Sequence, residues 1–272
     1  MSLRAPAVAR TGFLEVLGVR LEYAWHGPAP GTAPTLVFLH EGLGCVGLWR
    51  DFPALLAART GWGALVYSRA GYGASDPAAL PRPVTYMHEE GLRVLPALLA
   101  EAGIGDHVLV GHSDGASIAI IHAGGAPQPG LGGVILAAPH VFTEEIGIRA
   151  IAATGAAYRD GSLVARLSRW HGANTDAAFR GWHDAWTDPG FGCWNIEEYL
   201  PRLRVPCLVI QGEDDEYGTV AQIEAIGRAA GAGAALHLLP RCGHSPHRDQ
   251  PGATLDLMAA FVRPLAQGAT AQ

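Results

Sequence analysis

The segment Val108-Leu-Val-Gly-His-Ser-Asp-Gly-Ala-Ser117 joins two apolar runs of different character. Val108 to Val110 is short and unbroken, as a buried strand would be. Ala116, Ile118, Ala119, Ile120 and Ile121 follow with the small, apolar make-up of a buried helix. Between them stands Gly111-His112-Ser113-Asp114-Gly115, a glycine two residues to either side of a central serine. A strand-to-helix turn this tight forces its central residue into a strained backbone conformation and leaves no room for a Cβ at the two glycines. It lifts the Ser113 hydroxyl clear of the sheet edge. It also aims the N–H of Asp114 and the amino terminus of the following helix at whatever that hydroxyl attacks. The rest of the chain must therefore supply an α/β layer structure.

It does so in order. Gly12 to Trp25 reads as a hairpin turning at Gly18, its polar members suited to an antiparallel edge. Thr35-Leu-Val-Phe-Leu39 and Gly63-Ala-Leu-Val-Tyr67 are continuous apolar runs, the pattern of strands covered on both faces. A helix carrying Trp49, Phe52, Leu55 and Leu56 on one stripe separates them. A second helical pattern runs from about Thr85 to Ala102 through Met87, Leu92, Leu95, Leu98 and Leu99, closed by Gly103. Gly133-Val-Ile-Leu-Ala137 is the strand after the serine turn. Strands and helices alternate to this point, which calls for a parallel sheet with right-handed crossovers. From about Val141 to Pro201 the rhythm breaks. Amphipathic helices are predicted around Glu145–Tyr158, Leu163–His171 and Thr175–Trp186, followed by an aromatic tail through Phe191 and Trp194. The sheet resumes at Pro206–Gly212, a helix follows over Val220–Ala229, then a strand at Ala235–Leu239 and a last helix near Gly252–Leu265. The expected architecture is one core domain, residues 1–140 and 202–272, with a helical cap of residues 141–201 inserted at the carboxyl side of the sheet, where ligands bind.

Composition narrows the partners. With 49% hydrophobic residues in 272, the chain can build one large core. The net charge of -6 is spread without Lys/Arg clusters, which excludes nucleic acid as an expected partner. No apolar run is long enough to span a membrane, and Met1-Ser-Leu-Arg-Ala-Pro lacks the apolar stretch of a signal peptide. Cys45, Cys193, Cys207 and Cys242 show neither metal spacing nor a disulfide framework. The expectation is a cytoplasmic protein with reduced thiols, monomer or homodimer, without metal or organic cofactor.

A serine hydroxyl is a poor nucleophile unless a base takes its proton, and the base needs a carboxylate to fix its tautomer and stabilise its charge. With the serine on an early elbow, the acid should follow a late strand and the histidine the last one. Both places are filled. Glu213, Asp214, Asp215 and Glu216 come after Gly212, and Gly243-His244-Ser245-Pro246-His247 follows the final strand.

These stretches, with His40-Glu41-Gly42 after an early strand and Ser68 to Ser75 with its Gly71-Tyr-Gly73, resemble the α/β-hydrolase superfamily over nearly the whole chain. The resemblance implies the α/β-hydrolase fold, a mostly parallel twisted sheet of about eight strands with helices on both faces and a helical cap. It places the acid three residues past the strand-ending glycine, on Asp215, with Asp214 as fallback. It places the base on His244, with His247 as fallback. One oxyanion donor is the backbone N–H of Asp114; by resemblance the other is that of Gly42, with Leu43 second. Glu41 departs from the usual glycine at its position. The implied activity is that of a Ser-His-Asp hydrolase of small to medium esters, thioesters or lactones. Carbon–carbon hydrolysis of the meta-cleavage type, or a non-catalytic ligand sensor, are the alternatives. Expected pocket residues are Glu41, Leu43, His140, Trp182, Trp186 and Trp194. The Asp114 carboxylate either turns away from the pocket or recognises a cationic or hydroxylated group.

Overall fold

The computed structural model describes residues 10–125, 129–230 and 233–268, with side chains to residue 265. The amino-terminal Met1–Pro6 lies outside the described residues. Eight strands form one sheet: β1 (Arg10–Val16), β2 (Val19–His26), β3 (Thr35–Leu39), β4 (Gly63–Tyr67), β5 (His107–His112), β6 (Leu131–Ala137), β7 (Cys207–Gly212) and β8 (Ala234–Leu239). Their spatial order is β1-β2-β4-β3-β5-β6-β7-β8. The hairpin β1–β2 is antiparallel and meets β4 antiparallel, while every other pairing is parallel.

The period of two along each strand divides the core. Leu36, Phe38, Val108, Val110, Ile135, Leu208 and Ile210 face one side. There they pack on Phe52 and Leu56 of α1 (Phe52–Thr60) and on Leu255, Met258 and Val262 of α9 (Pro251–Gly268). Val37, Leu39, Leu109, Val134, Leu136 and Val209 face the other, against α3 (Leu95–Glu101), α4 (Asp114–Gly125) and α8 (Ala221–Ala230). Burial on both faces is why β3, β4, β5 and β7 read as unbroken apolar runs. β8 closes the sheet as a half-exposed edge.

Two helical stripes differ from expectation. Trp49 ends a 3-10 turn, Val46–Trp49, and the chain then breaks at Arg50 (φ 54°), so α1 starts only at Phe52. Leu92 is 42% exposed rather than part of the buried stripe. Between α2 (Tyr86–Glu89) and α3 the chain makes a π turn, Glu90–Val94. Pro96 has no N–H for the carbonyl four residues back; the ladder widens just before it, and the extra residue rotates Leu92 outward.

Between β6 and β7 lie α5 (Glu145–Arg159), α6 (Ser162–His171) and α7 (Thr175–Trp186), then two 3-10 turns, Pro189–Cys193 and Glu197–Arg202. Among the described residues no helix is long and apolar enough to cross a membrane.

Candidate active site

The turn at Ser113 has the strain its sequence demands. Ser113 sits at φ 53°, its N–H bonded to the Ala137 carbonyl at 2.9 Å on the neighbouring strand. A Cβ on Gly111 would lie 2.4 Å from the Gly115 carbonyl oxygen, and one on Gly115 would lie 2.0 Å from that of Leu39. No side chain tolerates such contacts, so both glycines are obligatory if α4 is to press this closely on β3 and β5.

The loops after β7 and β8 bring two side chains to the serine. Ser113 Oγ lies 2.8 Å from His244 Nε2, and His244 Nδ1 lies 2.8 Å from Asp215 Oδ1. An Nδ1–H donating to the carboxylate leaves Nε2 as the acceptor of the serine proton. Asp215 also accepts from the N–H groups of Tyr217 (2.9 Å) and Gly218 (3.3 Å), which fix the carboxylate in place. Burial would raise the Asp215 pKa, but the His244 hydrogen bond and charge outweigh it and the carboxyl is held below its usual range. For His244 burial disfavours the imidazolium, yet the hydrogen bond and charge of Asp215 prevail and hold it above the ordinary imidazole value. The fallback residues do not compete. Asp214 is exposed. His247 is buried against Trp49, Phe52 and His112, away from the serine.

The loop after β3 is held by a buried arginine. Arg69 Nη1 donates to the His40 carbonyl at 2.6 Å and Nη2 to that of Glu41 at 3.1 Å. The Glu41 carbonyl also accepts from His40 Nδ1 (2.7 Å) and from the Gly44 N–H (3.0 Å). In a trans peptide the next N–H points the opposite way, so the amide of Gly42 is turned from this cluster of donors. Gly42 and Leu43 both line the cavity beside Ser113. Gly42 must be glycine because a Cβ there would lie 2.1 Å from the Trp182 ring. The N–H of Asp114, in the first turn of α4, has no intrahelical partner. Two amides and a helix amino terminus are thus available to an oxyanion.

That cavity encloses about 200 Å³. With the serine and histidine, Glu41, Leu43, His140, Trp182 and Trp186 line it, all five named from the sequence, and His112, Ile151, Glu216, Tyr217 and Ser245 join them. A family model for the alpha/beta hydrolase family matches residues 36–257. The chain belongs to the alpha/beta hydrolase family. No curated protein matches it. Solved structures share the fold at low identity. The esterase RhEst1 from Rhodococcus sp. ECU1013 superposes with TM-score 0.72 and 19% identity over 95% of this chain and 100% of that one. A serine hydrolase involved in carbazole degradation, CarC, gives 0.72 and 16% over 94% and 99%. Proline iminopeptidase from Mycobacterium smegmatis gives 0.71 and 19% over 96% and 100%.

In this alpha/beta hydrolase one residue expected in the pocket lies outside it. Trp194 does not reach the cavity; it stacks on Phe191 at 5.3 Å between ring centroids and tilts against Trp186 at 5.8 Å. The Asp114 carboxylate turns away from the cavity and is fully buried. Trp186 Nε1 donates to its Oδ1 at 3.2 Å, the Tyr86 hydroxyl to its Oδ2, and Arg69 Nη2 lies 3.6 Å from Oδ2. Burial raises its pKa against the pull of Arg69, Tyr86 and Trp186. These contacts tie the start of α4 to Arg69, Tyr86 and Trp186.

Glu41, one of two carboxylates on the cavity wall with Glu216, has a side chain 20% exposed, with Oε2 3.5 Å from His112 Nδ1. Burial would raise its pKa, but the neighbouring imidazoles, His112 first, outweigh that and hold it well below the usual range. Sequence reading missed Arg69, Tyr86 and Tyr217. The one available signal was a lone arginine at the carboxyl end of a central apolar strand, where an unpaired charge has no place.

Proposed function

We propose that this protein is a serine hydrolase cleaving small to medium carboxylic esters, thioesters or lactones through an acyl-enzyme. The observation that carries the reading is the hydrogen-bonded line Asp215–His244–Ser113, 2.8 Å at each joint, opening on a cavity beside two loop and helix-end amides. Ser113 Oγ attacks the carbonyl carbon as His244 Nε2 takes its proton, and Asp215 stabilises the imidazolium. The oxyanion is held by the N–H groups of Gly42 and Asp114. His244 then gives the proton to the departing alkoxide or thiolate. Water, deprotonated by the same imidazole, hydrolyses the acyl-enzyme.

Residues 141–201 act as the cap over the core formed by 1–140 and 202–272. Support comes from α5 and α7, whose Ile151, Trp182 and Trp186 form the apolar wall of the cavity. A space of about 200 Å³ suits a short acyl chain. The lining residues include Glu41 and Glu216 but neither Lys nor Arg, which disfavours substrates bearing their own carboxylate and so favours ester over meta-cleavage chemistry. The test is steady-state hydrolysis of p-nitrophenyl esters from acetate to octanoate. Turnover that favours the shorter chains and vanishes in Ser113→Ala supports the reading; turnover that survives the substitution contradicts it, and extremely slow turnover on every ester would favour the ligand sensor.

A further inference from the structure

Most of the buried histidines in this protein have a polar partner within the fold. His40, His107, His112, His122 and His171 each bond a backbone group through a ring nitrogen. His140 is different. It is 5% exposed and lines the cavity, and among the described residues neither of its ring nitrogens hydrogen-bonds any protein atom. His247, the other buried histidine without a ring partner, is packed among aromatic rings and does not line the cavity.

The His140 ring is also built into position. Ser117 Oγ donates to the His140 carbonyl at 2.7 Å, and the next N–H, that of Val141, donates to Gln222 Oε1 at 2.7 Å. Gly218 makes room for the ring, since a Cβ there would come within 3.3 Å of its Cε1. Trp186 meets it edge-on, 5.3 Å between centroids, and the His244 ring lies 5.5 Å away. Among the buried histidines, the enclosed and unpartnered ring nitrogens belong to His107, His112, His122 and His247; those of His140 open on the cavity instead, where a bound group can reach them, and the ring is held firmly in that position.

We propose that His140 hydrogen-bonds an oxygen substituent of the substrate close to the scissile carbonyl, so that hydroxyl- or keto-bearing esters are preferred over plain ones. This rests on the serine-hydrolase reading and names its substrate class. Burial, and then the charge of His244, push the His140 pKa down to about 3, so the imidazole is neutral and offers one N–H and one lone pair. A hydroxyl can use both, and a carbonyl oxygen accepts the N–H. A carboxylate could accept it too, but Glu41 and Glu216 on the same walls repel one.

The experiment compares kcat/KM for ethyl butyrate with that for ethyl lactate, ethyl 3-hydroxybutyrate and 2-hydroxyethyl butyrate by pH-stat, in the wild type, His140→Phe and His140→Gln. In the wild type at least one hydroxylated ester outruns ethyl butyrate, and which one tells whether the contact lies on the acyl or the alcohol side. His140→Phe lowers that preference about tenfold, and His140→Gln restores part of it. A wild type indifferent to the hydroxyl, or a Phe variant that slows all four esters equally, overturns the inference. Labelling of Ser113 by a fluorophosphonate separates the two levels: a labelled enzyme without hydroxyl preference sinks this inference alone, whereas no labelling and no turnover sink the hydrolase reading with it.

Discussion

Arg69→Met separates stability from catalysis in a way the structure makes quantitative. The guanidinium is fully buried, 3.6 Å from the Asp114 carboxylate and bonded to the carbonyls of His40 and Glu41. Methionine keeps much of the volume but leaves a buried carboxylate and two loop carbonyls without their charged donor. Breaking a buried pair from one side costs about 3–5 kcal/mol. Urea unfolding followed by tryptophan fluorescence should show a loss of that size. The same change frees the peptide that orients the Gly42 amide. Removing an oxyanion donor outright costs about 10²–10³ in kcat, and because here the donor is loosened rather than deleted, a fall of about 10- to 100-fold is expected on an ester the wild type turns over. Arg69→Met with Asp114→Asn removes the uncompensated charge but not the loop's loss of support. It should recover part of the stability and none of the rate. An Arg69→Met enzyme normal in both respects refutes the reasoning. A double variant that recovers full kcat shows that Arg69 acts only through Asp114.

The acid of the relay is tested by Asp215→Asn, expected to lower kcat by about 10⁴ as the His244 tautomer is lost, while Asp214→Asn, at an exposed position, changes it less than threefold or so; the reverse outcome moves the acid by one residue. Asp114→Asn should lower kcat/KM for aminoacyl and neutral esters equally, since its carboxylate faces away from the cavity; a selective loss on aminoacyl esters would return it to substrate recognition. The relay needs neutral His244, whose pKa is raised, so kcat/KM should rise with pH through an apparent pKa above 6.5 and stay level toward pH 9; a profile already flat at pH 6 speaks against the Asp215 contact. Burial holds His122 to about 4 and His140 to about 3. These folded-state pKa values are depressed, so the unfolded chain binds more protons below 6.5 and stability falls as pH drops, by up to about 2 kcal/mol per group at pH 5. An unfolding free energy unchanged between pH 7 and 5 contradicts that burial.

What was legible in the sequence was whatever is enforced locally. Gly111 and Gly115 betray the strained turn because the close approach of α4 to β3 and β5 forbids any Cβ there. The loops that carry Asp215 and His244 could be located because each follows a strand, while the choice of those two residues within them came from the family resemblance. α7 begins and ends where its amphipathic period does, at Thr175 and Trp186. The rest depends on what the chain meets in space. Nothing near Trp194 tells that Phe191 will stack on it and keep it from the cavity. Asp114 reads as a threat to an oxyanion until Arg69, far back in the chain, is found to face it. Leu92 falls on the right period and still ends outside, because one wide turn before Pro96 shifts the phase.

The proposed relay requires that the Ser113 hydroxyl, relieved of its proton by His244, become acylated. Rapid acid quench of the protein with a p-nitrophenyl ester, followed by peptide mass spectrometry, reads this directly. The acyl mass should sit on the peptide containing Ser113, at a level that falls in His244→Gln, which lacks the base that acylation needs, and that is nil in Ser113→Ala. Turnover with no acyl adduct at Ser113 under any of these conditions, or an adduct on another residue, would contradict it.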